Sequence, residues 1–580
     1  MRQPFDDLGS GALVGLAIHP SLGAAWASVD GSTGFVATDD VCEVLDRFVE
    51  RVAPRWVWWS KETAARLLDL GIRPSKCWDL SAVHRLVHGG WRCEPAHVWA
   101  AVNGLDPARL PDRPTIDLFH QEHDDGDPDE PVRPDGHLRH DWAEGAWSDA
   151  PARMVAWAEL AVECQRRQDA ALGSEPTEHV GPFAGADRRR RTAMSESAAE
   201  ILCAELERDG LPMDRAAAER IVAGFVGTRP LTVEDEVRRL AERDAEVLAH
   251  LPVADGIDLR SPDSVRSLLR RAGIEVPDTR AWRLERMVDR HPVVAPLLAW
   301  RRAERIRTTF GYLWIDEHLG ADGRLRGHWS GSDGAAGRMT ATAGLHNMPG
   351  ELRPAIVAEE GHVFVRADLG QIEPRVLAAI SGDDALAHAT HDDDMYQRVA
   401  GQLGTDRALA KLAVLGAMYG ATTGRGAEAL ARLEREYPVA MGYLRDADTA
   451  AQGGTDLRTF GGRRVAMSAG DGEHADRDGR NRAAARGRFG RNAMVQGAAA
   501  EFFKTWAVLV RARGTELGAT IVLCLHDELV VHVAAERSHD VVELIDRCLA
   551  ETAHRWAPPS DVSVRFVTDT SVVGRWSEAK

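Results

Sequence analysis

The hydrophobic and polar positions of this chain fall into segments of two periods. Residues 362–367 (His-Val-Phe-Val-Arg-Ala) read as a strand that ends on a carboxylate, Asp368, and Glu373 follows five residues later. About a hundred and fifty residues on, the apolar runs Leu523-Cys524-Leu525 and Leu529-Val530 flank the polar triplet His526-Asp527-Glu528. Between these segments, Arg407 to Gly420 has helical spacing. Arg407, Lys411 and Leu415 share one face, and Leu409, Ala413, Val414 and Ala417 form an apolar face that should pack. Pro292 to Phe310 (Leu297, Leu298, Trp300, Ile306) predicts an Arg-rich helix. In the N-terminal third, Leu13 to Ile18 predicts a strand followed by a hairpin to Trp26, and Trp56 to Trp59 predicts another strand.

A strand that ends on Asp points to a site at a sheet edge rather than to a packed core. Two such Asp, far apart in sequence, suit a two-metal phosphoryl-transfer site, in which each carboxylate gives an oxygen to a pair of Mg²⁺ ions. Each segment also has a plainer explanation. Asp368 could serve as a turn or N-cap residue, and His526-Asp527-Glu528 as a hairpin tip. Arg407 and Lys411 could form a solvated basic stripe, although the chain holds only five Lys (Lys61, Lys76, Lys411, Lys504 and Lys580). A helix with two cations one turn apart that ends in Tyr419-Gly420 suits a triphosphate, with the ring near a base.

The order of the segments reverses those plainer odds. Asp368 to Arg375 resembles motif A of the family-A DNA polymerases, the bacterial DNA polymerase I type. Arg407 to Gly420 resembles the nucleotide-binding helix of the fingers (motif B), and Leu525 to Leu529 resembles motif C. Gly337 to Ala341, running on to Leu345-His346-Asn347-Met348-Pro349, is similar to the primer-binding segment. Arg488, Asn492 and Gln496 are similar to the minor-groove-reading segment. Leu206 to Asp214, and Ser261-Pro262 with Leu268-Leu269, resemble the start of the polymerase portion and its thumb; the resemblance covers about residues 195–580.

The resemblance implies a mixed α/β right-hand polymerase fold with palm, thumb and fingers, preceded by an RNase H-like exonuclease-type domain. The expected division is an exonuclease-like domain over 1–180, a thumb over 195–320, and palm and fingers over 321–580, with fingers at about 385–450. Asp368 and Asp527 would hold two Mg²⁺ ions (Mn²⁺ as an alternative), with the Leu369 carbonyl as a further ligand and Glu528 in support. Arg407 and Lys411 would grip the triphosphate, and Lys411 would protonate the leaving pyrophosphate. Glu373 would exclude a ribose 2′-hydroxyl, Tyr419 would stack beside the templating base, and His526 would touch the primer end. Arg338, Asn347, Arg488, Asn492 and Gln496 would contact phosphates and minor-groove acceptors. Primer-template DNA and dNTPs are the implied partners, and a monomer working in repair or gap filling is the implied form.

The chain departs from the family pattern in places. Leu415 stands where an aromatic ring is usual, which removes a flat face against the incoming sugar. Pro374 follows the gate residue and should bias Glu373 to an extended conformation while removing a donor. Gly370 replaces a small polar residue, and the spacing between Arg338 and Leu345 is one residue short. The stretch from Tyr419 to Tyr437 is also short, which implies trimmed fingers. In the N-terminal third, the Asp-x-Glu of an exonuclease's first strand is expected to be missing because the chain begins after it. Thr63 and Ala161 stand where further carboxylates belong, and Asp79 alone remains. One carboxylate cannot hold two metals, so no proofreading is expected. A 5′-nuclease domain is not expected ahead of it.

Composition adds limits. With 580 residues, 44% of them hydrophobic, the chain should form several packed domains. The net charge of −18 looks wrong for a DNA binder until it is mapped. Residues 106–149 hold thirteen acids against four Arg, half of the total, and read as a solvated insert. Residues 451–510 hold ten Lys or Arg against six acids, and a local cationic track is what a phosphate backbone meets. Arg188 to Arg191 read either as a backbone contact or, preferably, as a solvated linker. The pairs His120/His123 and His137/His140 read as solvated, and the seven Cys as free thiols of a reducing cytosol. No signal peptide or membrane span is apparent, so a cytoplasmic, nucleoid-associated protein is expected. The rival is a DNA-binding scaffold that keeps the fold with weak catalysis; clustered carboxylates argue against it. A nuclease is the second rival, disfavoured by the missing carboxylates.

Overall fold

The computed structural model describes residues 8–110, 127–174, 185–251, 257–420, 426–467, 477–556 and 563–579. The chain forms two compact units. The first comprises residues 1–210, 328–341 and 361–573, and the second residues 211–327, 342–360 and 574–580. Residues 195–209, expected with the thumb, therefore pack in the first unit.

The first unit opens with a five-stranded sheet made of β1 (Leu13–His19), β2 (Gly23–Ser28), β3 (Thr33–Ala37), β4 (Arg55–Trp58) and β5 (Cys77–Asp79), in the order β3-β2-β1-β4-β5. The first three strands pair antiparallel, while β4 pairs in parallel with β1 and with β5. Both faces are covered, so these strands read as nearly continuous apolar runs. Val14, Leu16 and Ile18 enter one core with Trp26, Phe48 and Trp56; Ala17 and Val57 enter another with Trp59, Trp78 and Trp157. Helix α1 (Leu80–His88) follows β5, α2 (Pro151–Ser174) lies against the sheet, and α3 (Ala186–Asp209) leads out of this region. Gly15 lets α2 approach closely, because a Cβ there would stand 2.3 Å from the Ala158 carbonyl oxygen.

Two expectations fail in this region. The acidic stretch is not wholly a solvated insert. Leu138 and Trp142 are fully buried in the second core, and the Trp142 indole donates to the Pro128 carbonyl at 3.0 Å. His137 is buried as well. The dense acids between these residues hid the apolar anchors, whereas His120 and His123 lie outside the described residues. Arg188 to Arg191 are not a linker either, for they form the first turns of α3. Arg189 is buried and donates to the Leu172 carbonyl at 2.9 Å, and Arg190 pairs with Asp169. The Arg188 guanidinium lies 3.8 Å from the Phe460 ring centroid.

The second unit is helical, with helices Arg215–Val226, Val233–Leu248, Pro262–Arg271 and Val294–Phe310 around Leu268, Leu269, Leu284, Leu297 and Trp300. The helix predicted over residues 292–310 is thus present.

The remainder of the first unit carries a four-stranded sheet of β6 (His362–Leu369), β7 (Thr520–Leu525), β8 (Glu528–Ala534) and β9 (Thr568–Val573), in the order β7-β8-β6-β9. Every neighbouring pair in it is antiparallel. Around it run α4 (Ile372–Ser381), α5 (Met395–Leu403), α6 (Arg407–Tyr419), α7 (Gly426–Glu436), α8 (Pro438–Gln452), α9 (Arg477–Gly514) and α10 (Ser538–Trp556). Pro374 does not extend Glu373. Both residues sit in the first turn of α4, where a backbone N–H has no intrahelical acceptor, so proline breaks no helix hydrogen bond there. All seven Cys are free. Among the described residues, no helix is long and apolar enough to cross a membrane.

Candidate active site

Two turns at one end of the second sheet build the site. The first connects β6 to α4 and carries Asp368, Leu369 and Gly370 up to Gln371, which takes a left-handed φ of 55°. The second is the β7–β8 hairpin, where His526 adopts φ 57°, so that two residues reverse the chain. The Leu369 N–H donates to the Asp527 carbonyl at 3.0 Å and ties the turns together. Strand register completes the cluster, because Asp368 stands opposite Glu528 on β8 and Asp569 on β9.

Burial, and next the charge of Asp527, push the Asp368 carboxyl up to about 7, against the opposing pull of Arg366. Burial also raises Asp527. Two half-buried carboxylates that repel one another form a hard oxygen donor set, and this chemistry fits a divalent ion of the Mg²⁺ type. Glu528 and Asp368 share one cation. The Arg366 guanidinium lies 2.8 Å from Glu528, 2.9 Å from Asp368 and 3.5 Å from Asp569. Arg366 and Asp569 are site residues that the sequence reading missed. The signal for Arg366 was its place two residues before Asp368, on the same face of a strand.

Beside the carboxylates lies a cavity of about 160 Å³ whose lining includes Glu373, Tyr396, Leu415, Phe503, His526 and Asp527. Glu373 is held from two sides: Arg338 pairs with it at 2.9 Å and the Tyr419 hydroxyl donates to it at 2.8 Å. Burial and this contact raise the Tyr419 phenol above its ordinary range.

Helix α6 carries its two cations as expected, with Ala413, Val414 and Ala417 buried behind them. Arg407 and Lys411 each lie 5.9 Å from the ring centroid of Tyr396, a buried residue not foreseen. Arg407 also pairs with Asp394, whose carboxylate caps α5 and accepts from Gln371. Arg375, fully buried, fixes the start of α4 by donating to the carbonyls of Gly370, Thr390, Asp392, Asp393 and Arg565.

Arg488, Asn492 and Gln496, four residues apart, form one stripe on α9. Gln496 opposes the rise of the Tyr419 phenol, and the Arg488 side chain lies against Gly420, where an added Cβ would stand 2.7 Å from it. The structure thus gathers Asp368, Leu369, Glu373, Arg407, Lys411, Leu415, Tyr419, His526, Asp527 and Glu528 on elements of the first unit, with Arg338 and the α9 stripe. Asn347 belongs to the second unit, where its carbonyl accepts from Arg305 at 2.9 Å.

Asp79 ends β5 and is fully buried. Its carboxylate accepts from the Trp58 indole at 3.0 Å and, as the N-cap of α1, from the Ala82 N–H at 2.8 Å. Burial first, and then the charge of Glu200, raise it well above the usual carboxylate range.

The first sheet, the helical unit and the second sheet with its two joined carboxylate turns define a right-hand polymerase fold. Residues 239–578 match the DNA polymerase family A model, and the chain belongs to that family. Among its curated relatives, DNA polymerase I, thermostable, of Thermus thermophilus is 29% identical over 372 residues, 57% of this chain and 43% of that one. DNA polymerase I of Chloroflexus aurantiacus is 30% identical over 326 residues, 51% of this chain and 33% of that one. The chain thus spans less than half the length of these relatives. Among solved structures, the POL domain of Pol1 from M. smegmatis, in complex with DNA primer-template and dNTP, superposes with a TM-score of 0.68 at 21% identity. That match covers 98% of this chain and 96% of that one.

Proposed function

We propose that this protein is a template-directed DNA polymerase that extends a primer 3′ end with dNTPs. The observation that carries this reading is the Leu369–Asp527 hydrogen bond, which sets two carboxylate-bearing turns side by side next to a cavity overlooked by two cations. Asp368, Asp527 and the Leu369 carbonyl would hold two divalent ions, most simply Mg²⁺. When bound, such ions lower the pKa of the primer hydroxyl and neutralise the triphosphate. Arg407 exchanges Asp394 for a phosphate oxygen, and Lys411 donates a proton to the departing pyrophosphate. Glu373, braced by Arg338 and Tyr419, occupies the place of a ribose 2′-hydroxyl, and Tyr419 flanks the templating base. Arg338, Asn347, Arg488, Asn492 and Gln496 track the duplex through phosphates and minor-groove acceptors. The second unit serves as the thumb, and residues 385–450 as the fingers.

The first sheet is a degenerate exonuclease-like domain without proofreading. Among the described residues its leading strand, β1, carries no acid where an Asp-x-Glu pair would be needed. Asp79 is occupied by protein donors, and Ala161 is buried. Such an enzyme suits repair or gap filling as a monomer near the nucleoid.

Supplying each dNTP singly on a gapped template with a known next base tests the reading. Addition of only the complementary nucleotide is expected; DNA binding without addition would leave a scaffold.

A further inference from the structure

A second cavity, of about 280 Å³, lies in the first unit between the starts of β4 and β5, the first turns of α3, helix α9 and the end of α10. It shares no residue with the cavity at the carboxylate turns. Arg55, Lys76, Arg188, Arg191, Arg511 and Arg555 all line it, and no acidic residue does so among the described residues. Two of these cations are already balanced, since Arg511 is held by Glu205 and Arg555 by Glu551. Lys76 and Arg191 form no ion pair among the described residues, and Arg55 reaches only the Cys77 carbonyl at 3.5 Å. Burial, and next the charge of Arg191, depress the Arg188 guanidinium to about 10, against the opposing pull of Glu501.

A second, independent observation points the same way. Trp556 lines the cavity and is 5% exposed, and its indole N–H has no acceptor among the described residues. A buried donor without an acceptor costs free energy that a bound oxygen would recover. Val508 and Leu509 supply apolar wall beside these donors.

We infer that this cavity binds a nucleotide phosphate, with the guanidinium groups and the Trp556 indole as donors and the apolar wall against sugar or base. Guanidinium forks match phosphate oxygens, and a cationic groove can track a nucleotide backbone without sequence preference. The ligand chemistry has two sources, a free nucleotide or one residue of a single DNA strand.

The test uses the full chain with ¹⁵N-indole-labelled tryptophan, without divalent metal. The signal that disappears in Trp556→Phe is followed during titration with dTMP, thymidine, inorganic phosphate and a thymidine tetranucleotide. A saturable shift with dTMP is expected, none with thymidine, and about tenfold weaker binding in the exposed Arg191→Glu and in Lys76→Glu. A shift with the tetranucleotide but not with dTMP would assign the site to a DNA strand. Absence of any shift with either ligand would overturn the inference. So would an equal shift with thymidine, or unchanged affinity in both charge-reversal variants; an equal response to inorganic phosphate means an adventitious ion only.

Discussion

The Tyr419 hydroxyl donates to the Glu373 carboxylate at 2.8 Å, joining the last residue of the cationic helix to the residue we propose as the sugar gate. Arg338 pairs with its other oxygen at 2.9 Å, so both oxygens of Glu373 are anchored. Tyr419→Phe removes one anchor, a hydrogen bond to a charged group worth about 2 kcal/mol. Discrimination against ribonucleotides should fall by roughly tenfold, with a smaller change in dNTP kcat/KM. Competing rNTP and dNTP incorporation checks this; unchanged discrimination would detach Tyr419 from sugar selection.

Leu415 lines the cavity beside the carboxylate turns with aliphatic bulk only. Leu415→Phe should tighten nucleotide binding and change the ratio of dideoxynucleotide to dNTP incorporation by several-fold, on the order of 1 kcal/mol of stacking. Identical ratios in the two proteins would refute a role in sugar contact.

The Asp368 carboxyl is raised from an ordinary 3.8 to about 7 in the fold. A raised acid keeps its proton in the folded state while the unfolded chain has lost it. It therefore subtracts stability as pH rises through that window, until a divalent ion restores the balance. Thermal melts without metal at about pH 5 and about pH 8 should show wild type losing more Tm than Asp368→Asn. Mg²⁺ should return more of that loss to wild type. Parallel losses would mean that the carboxylate turns carry no strain of charge.

How far the sequence foretold this site depends on the residue. Asp368, Lys411 and Asp527 were legible because each sits at the end of, or on one face of, an element whose period is clear. Arg366 and Asp569 were not, because their roles arise from register across three strands that are distant in sequence. Pro374 misled for a local reason, since its cost depends on where a helix begins, and that start is set by the left-handed Gln371. The acidic stretch misled through composition, with Leu138 and Trp142 hidden among charges. The first strand of the N-terminal sheet was legible as a strand, but its central position appears only once β4 pairs with it in parallel.

Asp79 is a structural cap in this account. Asp79→Ala should cost about 2–4 kcal/mol, through the lost cap and an unpaired Trp58 indole, and leave primer extension unaltered. Chemical denaturation and extension assays read the two effects separately. Excision of a 3′ mismatch by wild type that Asp79→Ala abolishes would contradict this.

The central claim is that Asp368 and Asp527 form the reacting centre of a polymerase, and primer extension on a gapped template with Mg²⁺ tests it most directly. Wild type should extend the primer, and Asp368→Ala and Asp527→Ala should each lose on the order of a thousandfold or more while still binding DNA. Extension that survives either substitution, or clean wild type that binds the template and adds nothing, would contradict the account.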